Sequence, residues 1–277
     1  MDFNFTEEQI YFKKQAARAI KELIEPYASK IDREDTFPRE LFERLGALGY
    51  YGIRYPHNIG GMGADCTTFT MFAEELARVS VSFAAIVTMQ CLMGTDFIHR
   101  FGTEDHIERL LKPAIKGQKV GTIAFTEPDC GSDLGAIKTR AVKDKEGYVI
   151  KGRKMWITSA ETADFVTVVA TVNPEKRLKG LAFFLVEKGM PGFSFGKQEE
   201  FMGLRGMPSC DLVFEDVHCV NAGLQGQLGD QFVELLLGQG DLGLGGLTAT
   251  VLGLPGGEGE SGHDNRPDQY GAEDNGA

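Results

Sequence analysis

Apolar residues recur at helical spacing as far as about residue 116 and switch to strand-like runs from residue 120, so the chain must join an all-helical unit to a β unit. In the first stretch Ile10, Phe12, Ala16, Ala17, Ile20 and Ile24 form a helical stripe behind a Thr6-Glu7-Glu8 start. Pro26 predicts a kink or break, because proline lacks the N–H that a helix interior needs. Pro38 suits the opening of a second helix, with Leu41, Leu45 and Leu48 on one face. Two more helices are predicted over TTFTMFAEELARV and SFAAIVTMQCLMGTDFIHRFG, and another over 104–116. The SFAAIVTMQC stretch is apolar nearly all round and is expected to be buried.

The runs VGTIAFTEP, GYVIKGRKMWIT, DFVTVVATV, GLAFFLVEK, GFSFGKQEEF and CDLVFEDVHC are short, rich in β-branched and aromatic residues, and separated by Gly, Pro and charged turns. That pattern predicts a small, mainly antiparallel β-domain, barrel-like in form. The expected fold class is α+β, with a helical domain over 1–118, a β-domain over 119–220, and an interrupted helical stretch over 221–277 that the family resemblance given below implies is a remnant of a helical bundle.

The remnant stands apart by composition. Residues 221–277 hold nine acids, one base (Arg266) and 15 of the 35 glycines, a net −8 of the total −11. QFVELLLGQGDLGLGGLTATVLGL has the leucines of a buried helix, but Gly238, Gly240, Gly243, Gly245, Gly246 and Gly253 interrupt it. Each interior glycine costs about 1 kcal/mol of helix preference relative to alanine. Beyond about residue 254 there is little to bury, and the composition predicts disorder.

The acidic balance argues against a nucleic-acid surface. No apolar run is expected to reach the roughly 18–20 residues of a membrane span. The N-terminus has neither the basic stretch nor the cleavage site of a signal peptide, which predicts a cytoplasmic protein. The five cysteines are scattered, without metal spacing, and read as free thiols.

Two segments carry chemistry. Phe125-Thr126-Glu127-Pro128-Asp129-Cys130-Gly131-Ser132-Asp133 runs from a strand into a loop whose backbone N–H groups and hydroxyls can hold phosphate oxygens, although a well-capped turn reads the same way. Lys154-Met155-Trp156-Ile157-Thr158-Ser159 carries the single tryptophan on a strand edge. An indole beside hydroxyls suits a flat aromatic cofactor; a core tryptophan is the commoner alternative.

Together, and in this order, these segments resemble the flavin-binding signatures of the acyl-CoA dehydrogenase family. GYYGIRYPHNIGGMGAD, AEELARVS, FGTEDHIERLLKPAIKGQKVG and FMGLRGMPSCDLVFEDVHC extend the resemblance over residues 3–220. His57-Asn58-Ile59 and Ser159-Ala160 are its departures from the usual pattern. The resemblance implies FAD, with Ile123, Ala124, Phe125 and Thr126 lining the flavin ring and Gly131 and Ser132 reaching the pyrophosphate. Trp156, Ile157 and Thr158 would cover the ring, the Thr158 hydroxyl lying near its hydride-accepting nitrogen. It further implies an acyl-CoA thioester as substrate, near Ser132 and Asp241, an electron-transfer flavoprotein as electron acceptor, and a homotetramer. Met89, Cys91 and Met93 are candidates for lining the acyl pocket, with core packing the commoner role of such residues.

The family reaction is α,β-desaturation, with a glutamate from the C-terminal helical bundle as base. In one subfamily that glutamate stands where this chain has Gly243, with Leu244 in place of the following arginine. Pro267 likewise replaces an arginine that contacts a neighbouring subunit's flavin. The resemblance therefore implies an acyl-CoA dehydrogenase whose catalytic base is missing, or, as the alternative, a non-catalytic relic that binds flavin or acyl-CoA. The leucines at 235–237, 242, 244 and 247 predict that the chain expressed alone runs as aggregate on a sizing column. A clean monodisperse monomer would contradict that.

Overall fold

The computed structural model describes residues 4–220. Asp241, Gly243 and the whole 221–277 segment, with the disorder expected there, lie outside the described residues. Helix α1 (Glu7–Leu23) begins at a reciprocal cap, in which Gln9 N–H donates to Thr6 Oγ1 (3.1 Å) and Thr6 N–H to Gln9 Oε1 (3.0 Å). The chain breaks at Pro26 into a 3₁₀ turn and resumes as α2 (Ala28–Glu34). Helix α3 (Arg39–Ala47) follows Pro38 and buries Leu41, Phe42 and Leu45. Leu48 is exposed rather than part of that stripe, because the helix ends at Ala47 and Phe42 takes the third place. Ile10 of the α1 stripe is exposed as well.

Helix α4 (Cys66–Val79) leads into α5 (Val81–Thr88), which passes through a π-turn (Met89–Gly94) to α6 (Asp96–Phe101). The expectation that no apolar run reaches membrane length is corrected here. Val81–Phe101 is long and apolar enough to cross a bilayer, but 67% of its most apolar window is buried within the fold. The last helical stretch, α7 (Glu104–His106), a π-turn (Ile107–Leu111) and α8 (Lys112–Ile115), follows a Thr103 cap.

The sheet holds seven strands among the described residues: β1 (Gly121–Ala124), β2 (Arg140–Lys143), β3 (Gly147–Thr158), β4 (Phe165–Thr171), β5 (Leu181–Glu187), β6 (Phe193–Gln198) and β7 (Ser209–Val220). Their order is β1-β4-β2-β3-β7-β6, with β5 also on β4. Most pairings are antiparallel as expected, but β1 and β2 both run parallel to β4, at Phe165–Val168 and Thr171 respectively. The charged sequence RAVKDKEG hides β2, whose only buried residue is Ala141. β4 is buried along its whole length, Val166, Val168 and Ala170 facing one core and Phe165 and Val169 the other. Both cores also contain helix residues, so the helical and β units share them.

The junction of the two units rests on Gln90. Its amide donates to Ala114 O (3.0 Å) and Lys119 O (2.9 Å) and accepts from Gly121 N–H (2.9 Å), tying the π-turn to α8 and to the head of β1. The π-turn frees carbonyls that side chains then satisfy. Thr95 Oγ1 donates to Gln90 O (2.6 Å), and the Tyr55 hydroxyl lies 2.7 Å from Thr95 Oγ1 and 3.3 Å from Cys91 O. Gly94 presses on the strand so closely that a Cβ there would stand 2.1 Å from Gly121 O. Replacing Gln90 by leucine orphans three backbone groups, and we expect it to cost about 3 kcal/mol in urea-induced unfolding. An unchanged unfolding midpoint would contradict this role.

Candidate flavin site

β1 and β2 lie along the same edge of β4, and residues 125–139 leave the sheet through the break between them. This excursion is the loop singled out by sequence. Glu127 and Cys130 close its turn by exchanging N–H···O bonds of 2.8 and 3.2 Å across Pro128 and Asp129. Asp133 receives Arg177 from a neighbouring 3₁₀ turn at 2.7 and 2.8 Å, and Lys138 pairs with Asp129 at 2.9 Å.

The second segment crosses the same break. Met155 N–H donates to Thr126 O (2.9 Å), and Thr122 Oγ1 donates to Thr158 O (2.7 Å). Between these fixings the β3–β7 register slips, leaving Met155 and Trp156 opposite Asp211 alone, a β-bulge. Trp156 has φ 56° and is 58% exposed. A bulky residue in the left-handed region costs about 1–3 kcal/mol and persists only where its surroundings enforce it. Trp156 is therefore not a core tryptophan: the fold holds its indole outward at the mouth of the loop.

What enforces this is a buried ion pair. Lys154, with no solvent exposure, donates from Nζ to Glu127 Oε1 and to Phe125 O, both at 2.8 Å. Glu127 also accepts from Thr139 N–H (3.0 Å) at Oε1 and from Lys138 N–H (2.7 Å) at Oε2. Burial pushes the Glu127 carboxyl up, but the Lys154 ammonium and these hydrogen bonds outweigh it and hold it below the usual carboxylate range. Burial lowers the Lys154 ammonium, and Glu127 recovers only part of that.

The other sequence candidates fall around this pair. Ile123 and Ala124 are buried in the two cores, and Phe125 is half-buried with its ring 6.4 Å from Phe97 and 6.2 Å from Phe183. Thr126 and Thr158 are half-buried, Ile157 is buried, and Gly131 and Ser132 are exposed. Open space lies beyond Gly131, and neither it nor Ser132 spends its N–H on another described residue. Ser159 Oγ and Ser209 Oγ, on paired strand ends, are buried without a hydrogen-bond partner among the described residues. Cys91 is buried in one core, Met89 is half-buried against the other, and Met93 is exposed. All five cysteines are free; burial pushes Cys210 up to about 11 and Cys219 up to about 12. Glu127 and Lys154 stand within the two segments but carry no role legible from the sequence motifs. A lysine amid the apolar residues of a strand was the available signal.

A helical unit packed on a curled sheet, with an outward indole and an open glycine–hydroxyl loop meeting at a break in that sheet, defines a class of two-domain cofactor-binding protein. The N-terminal domain model of acyl-CoA dehydrogenases matches residues 6–118, and the middle domain model matches 122–217. Benzylmalonyl-CoA dehydrogenase of Aromatoleum aromaticum is 45% identical over 215 residues, 78% of this chain and 56% of that protein. The short-chain-specific acyl-CoA dehydrogenase of Clostridium acetobutylicum is 34% identical over 254 residues, 92% and 67% of the two chains. The FAD complex of PigA superposes with a TM-score of 0.80 at 26% identity, covering 86% of this chain and 63% of that one. The chain belongs to the acyl-CoA dehydrogenase family, and it spans 56% to 67% of the length of these two curated relatives.

Removing one partner of a buried pair strands the other charge, at about 3–5 kcal/mol. We expect Lys154→Met to cost that much in denaturant unfolding, and Glu127→Gln somewhat less, because the amide oxygen can still accept. Since the Glu127 value is lowered on folding, its stabilisation is present above the unfolded glutamate value of about 4.3 and is lost as pH falls below it. An acid-unfolding curve for Glu127→Gln should therefore be flatter below that pH than wild type; coincident curves would contradict the assignment.

Proposed function

We propose that residues 4–220 form the flavin- and thioester-holding part of an FAD-dependent acyl-CoA dehydrogenase, a family whose reaction is α,β-desaturation of an acyl-CoA. The observation that carries this reading is the strained, outward Trp156 locked beside the 125–132 loop by the Glu127–Lys154 pair. The residues present fit a flavin: an exposed indole, open space over Gly131, uncommitted N–H groups at Gly131 and Ser132, and orphaned hydroxyls at Ser159 and Ser209. When bound, FAD supplies the acceptor for the β-hydrogen and its electron pair. Trp156 offers the apolar face for the ring, Ile157 backs the strand, and Thr158 offers a hydroxyl at the rim. Gly131 and Ser132 hold phosphate oxygens, Ser132 also facing the phosphate arm of the thioester. Because the ion pair fixes loop and strand in advance, little ordering entropy is lost when they are filled.

No side chain among 4–220 is assigned the base. Gly243 occupies the place of the subfamily glutamate and Asp241 a place beside the adenine, and both lie outside the described residues. The finer reading is that this chain holds flavin and thioester without turnover, in the cytoplasm, with an electron-transfer flavoprotein as the acceptor its family resemblance implies.

Purified protein soaked in FAD and desalted should retain the flavin absorbance bands. Trp156→Ala should weaken FAD binding about tenfold, the loss of one well-stacked aromatic. A colourless wild type overturns the flavin assignment. Adding acyl-CoA should leave the yellow colour in place; bleaching would show that a group in the chain serves as base.

A further inference from the structure

Three arginines among the described residues are half-buried, and two are anchored. Arg39 reaches Glu43 (2.6 Å) and Gln118 O (3.0 Å), and Arg205 reaches Asp32 O (2.7 Å) and Asp35 (3.9 Å). The third, Arg54, lies in the turn before Tyr55-Pro56 and has neither an ion pair nor a hydrogen bond to any described residue. Its one aromatic contact is the Phe69 ring, 6.0 Å from its guanidinium carbon to the centroid. A cation–π contact at that distance is weak and leaves the five guanidinium N–H donors uncommitted among the described residues.

Arg54 also stands among groups with no anion to spare. Its charge acts on Tyr55, on His99 and on the Cys91 thiol of the π-turn. His99 packs edge-on against Tyr55 at 5.2 Å, and its Nδ1 is buried without a partner. Asp96, the acid that acts on both Tyr55 and His99, is committed to Arg100 at 2.7 Å. His99 against the Tyr55 ring and Arg54 beside Tyr55 in the chain are therefore within electrostatic reach of each other, with the guanidinium and His99 Nδ1 unpartnered by hydrogen bonds among the described residues.

The surroundings indicate how an anion would arrive. Phe69, Tyr55 and Cys91 make the neighbourhood of Arg54 apolar, which suits a carboxylate carried on a hydrocarbon chain better than a hydrated phosphate. Three residues further along the helix, Gly94 sits on Gly121 at the head of β1, the strand that runs into the 125–132 loop. The π-turn thus meets the strand that leads into the cofactor segment through Gly94 and, through the Cys91 carbonyl, the Tyr55 hydroxyl next to Arg54 in the chain. We propose that Arg54, assisted by His99, binds a carboxylate on the acyl chain, so that the thioester taken by this protein is a carboxyacyl-CoA. This rests on the acyl-CoA reading above.

The test is calorimetric binding to the FAD-loaded full chain. The probes are succinyl-, glutaryl- and adipyl-CoA, each set against its neutral counterpart, butyryl-, valeryl- and hexanoyl-CoA. At least one carboxylated probe should bind about tenfold or more tightly than its counterpart, as a charge-assisted bond implies. Arg54→Gln should erase that preference while leaving the neutral thioesters unchanged. Arg54→Lys, which keeps the charge but loses the planar fork, should retain only part of it. Circular dichroism melting identifies a variant that has failed to fold, and in that case the wild-type comparison still decides. Neutral thioesters that bind as well as every carboxylated one overturn the carboxylate assignment alone. If neither set binds, the acyl-CoA reading falls and takes this inference with it.

Discussion

The Glu127–Lys154 pair is the interaction on which the arrangement of the site depends. A buried ion pair gains little net stability compared with apolar packing, because desolvating both charges offsets their attraction. What it provides here is register. A single ammonium grips the carbonyl at the end of β1 and the carboxylate of the following loop, while that carboxylate also binds the N–H groups that lead into β2. The loop, the break in the sheet and the bulge of β3 are thereby fixed to one another. The strain at Trp156 can be tolerated because the strand is held on both sides of it.

The second constraint is the close approach of helix and strand at Gly94 and Gly121. With no side chain at Gly94, the π-turn can lie directly on β1, and Gln90 supplies the polar connections that so close a contact would otherwise leave unmet. The helical unit and the sheet consequently share two cores. The π-turn thereby touches both the head of the strand that leads into the cofactor segment and, through Cys91 O, the Tyr55 that follows Arg54. Fold and site are linked at this point: a longer side chain at Gly94 would separate the two surfaces that the proposed chemistry needs together.

Much of this was legible in the primary structure. GYVIKGRKMWIT corresponds to β3 residue for residue, and Pro26 and Pro38 punctuate the helices where their missing N–H groups require. The misses have local causes. β2 was hidden because three of its four residues face solvent and two of them are charged. Leu48 kept its periodic place but fell beyond the end of the helix. The Val81–Phe101 helix has the composition of a membrane span, and most of that apolar surface is buried against the two cores it enters. Exposure hid the first, a helix end displaced the second, and burial by distant segments explains the third.

The sequence alone determined the period change near residue 120, the order of helices and strands, and the two segments that carry the family resemblance. These follow from side-chain spacing and backbone chemistry, which act over a few residues. Only the tertiary structure decided that β1 and β2 share an edge of β4, that Trp156 points outward, that Lys154 closes on Glu127, and that Arg54 has no ion pair or hydrogen bond among the described residues. Each of these depends on residues tens of positions apart meeting in a low-dielectric interior, where an unpaired polar group is costly and a paired one fixes geometry. No local pattern encodes such a meeting, and the function proposed here is built on it.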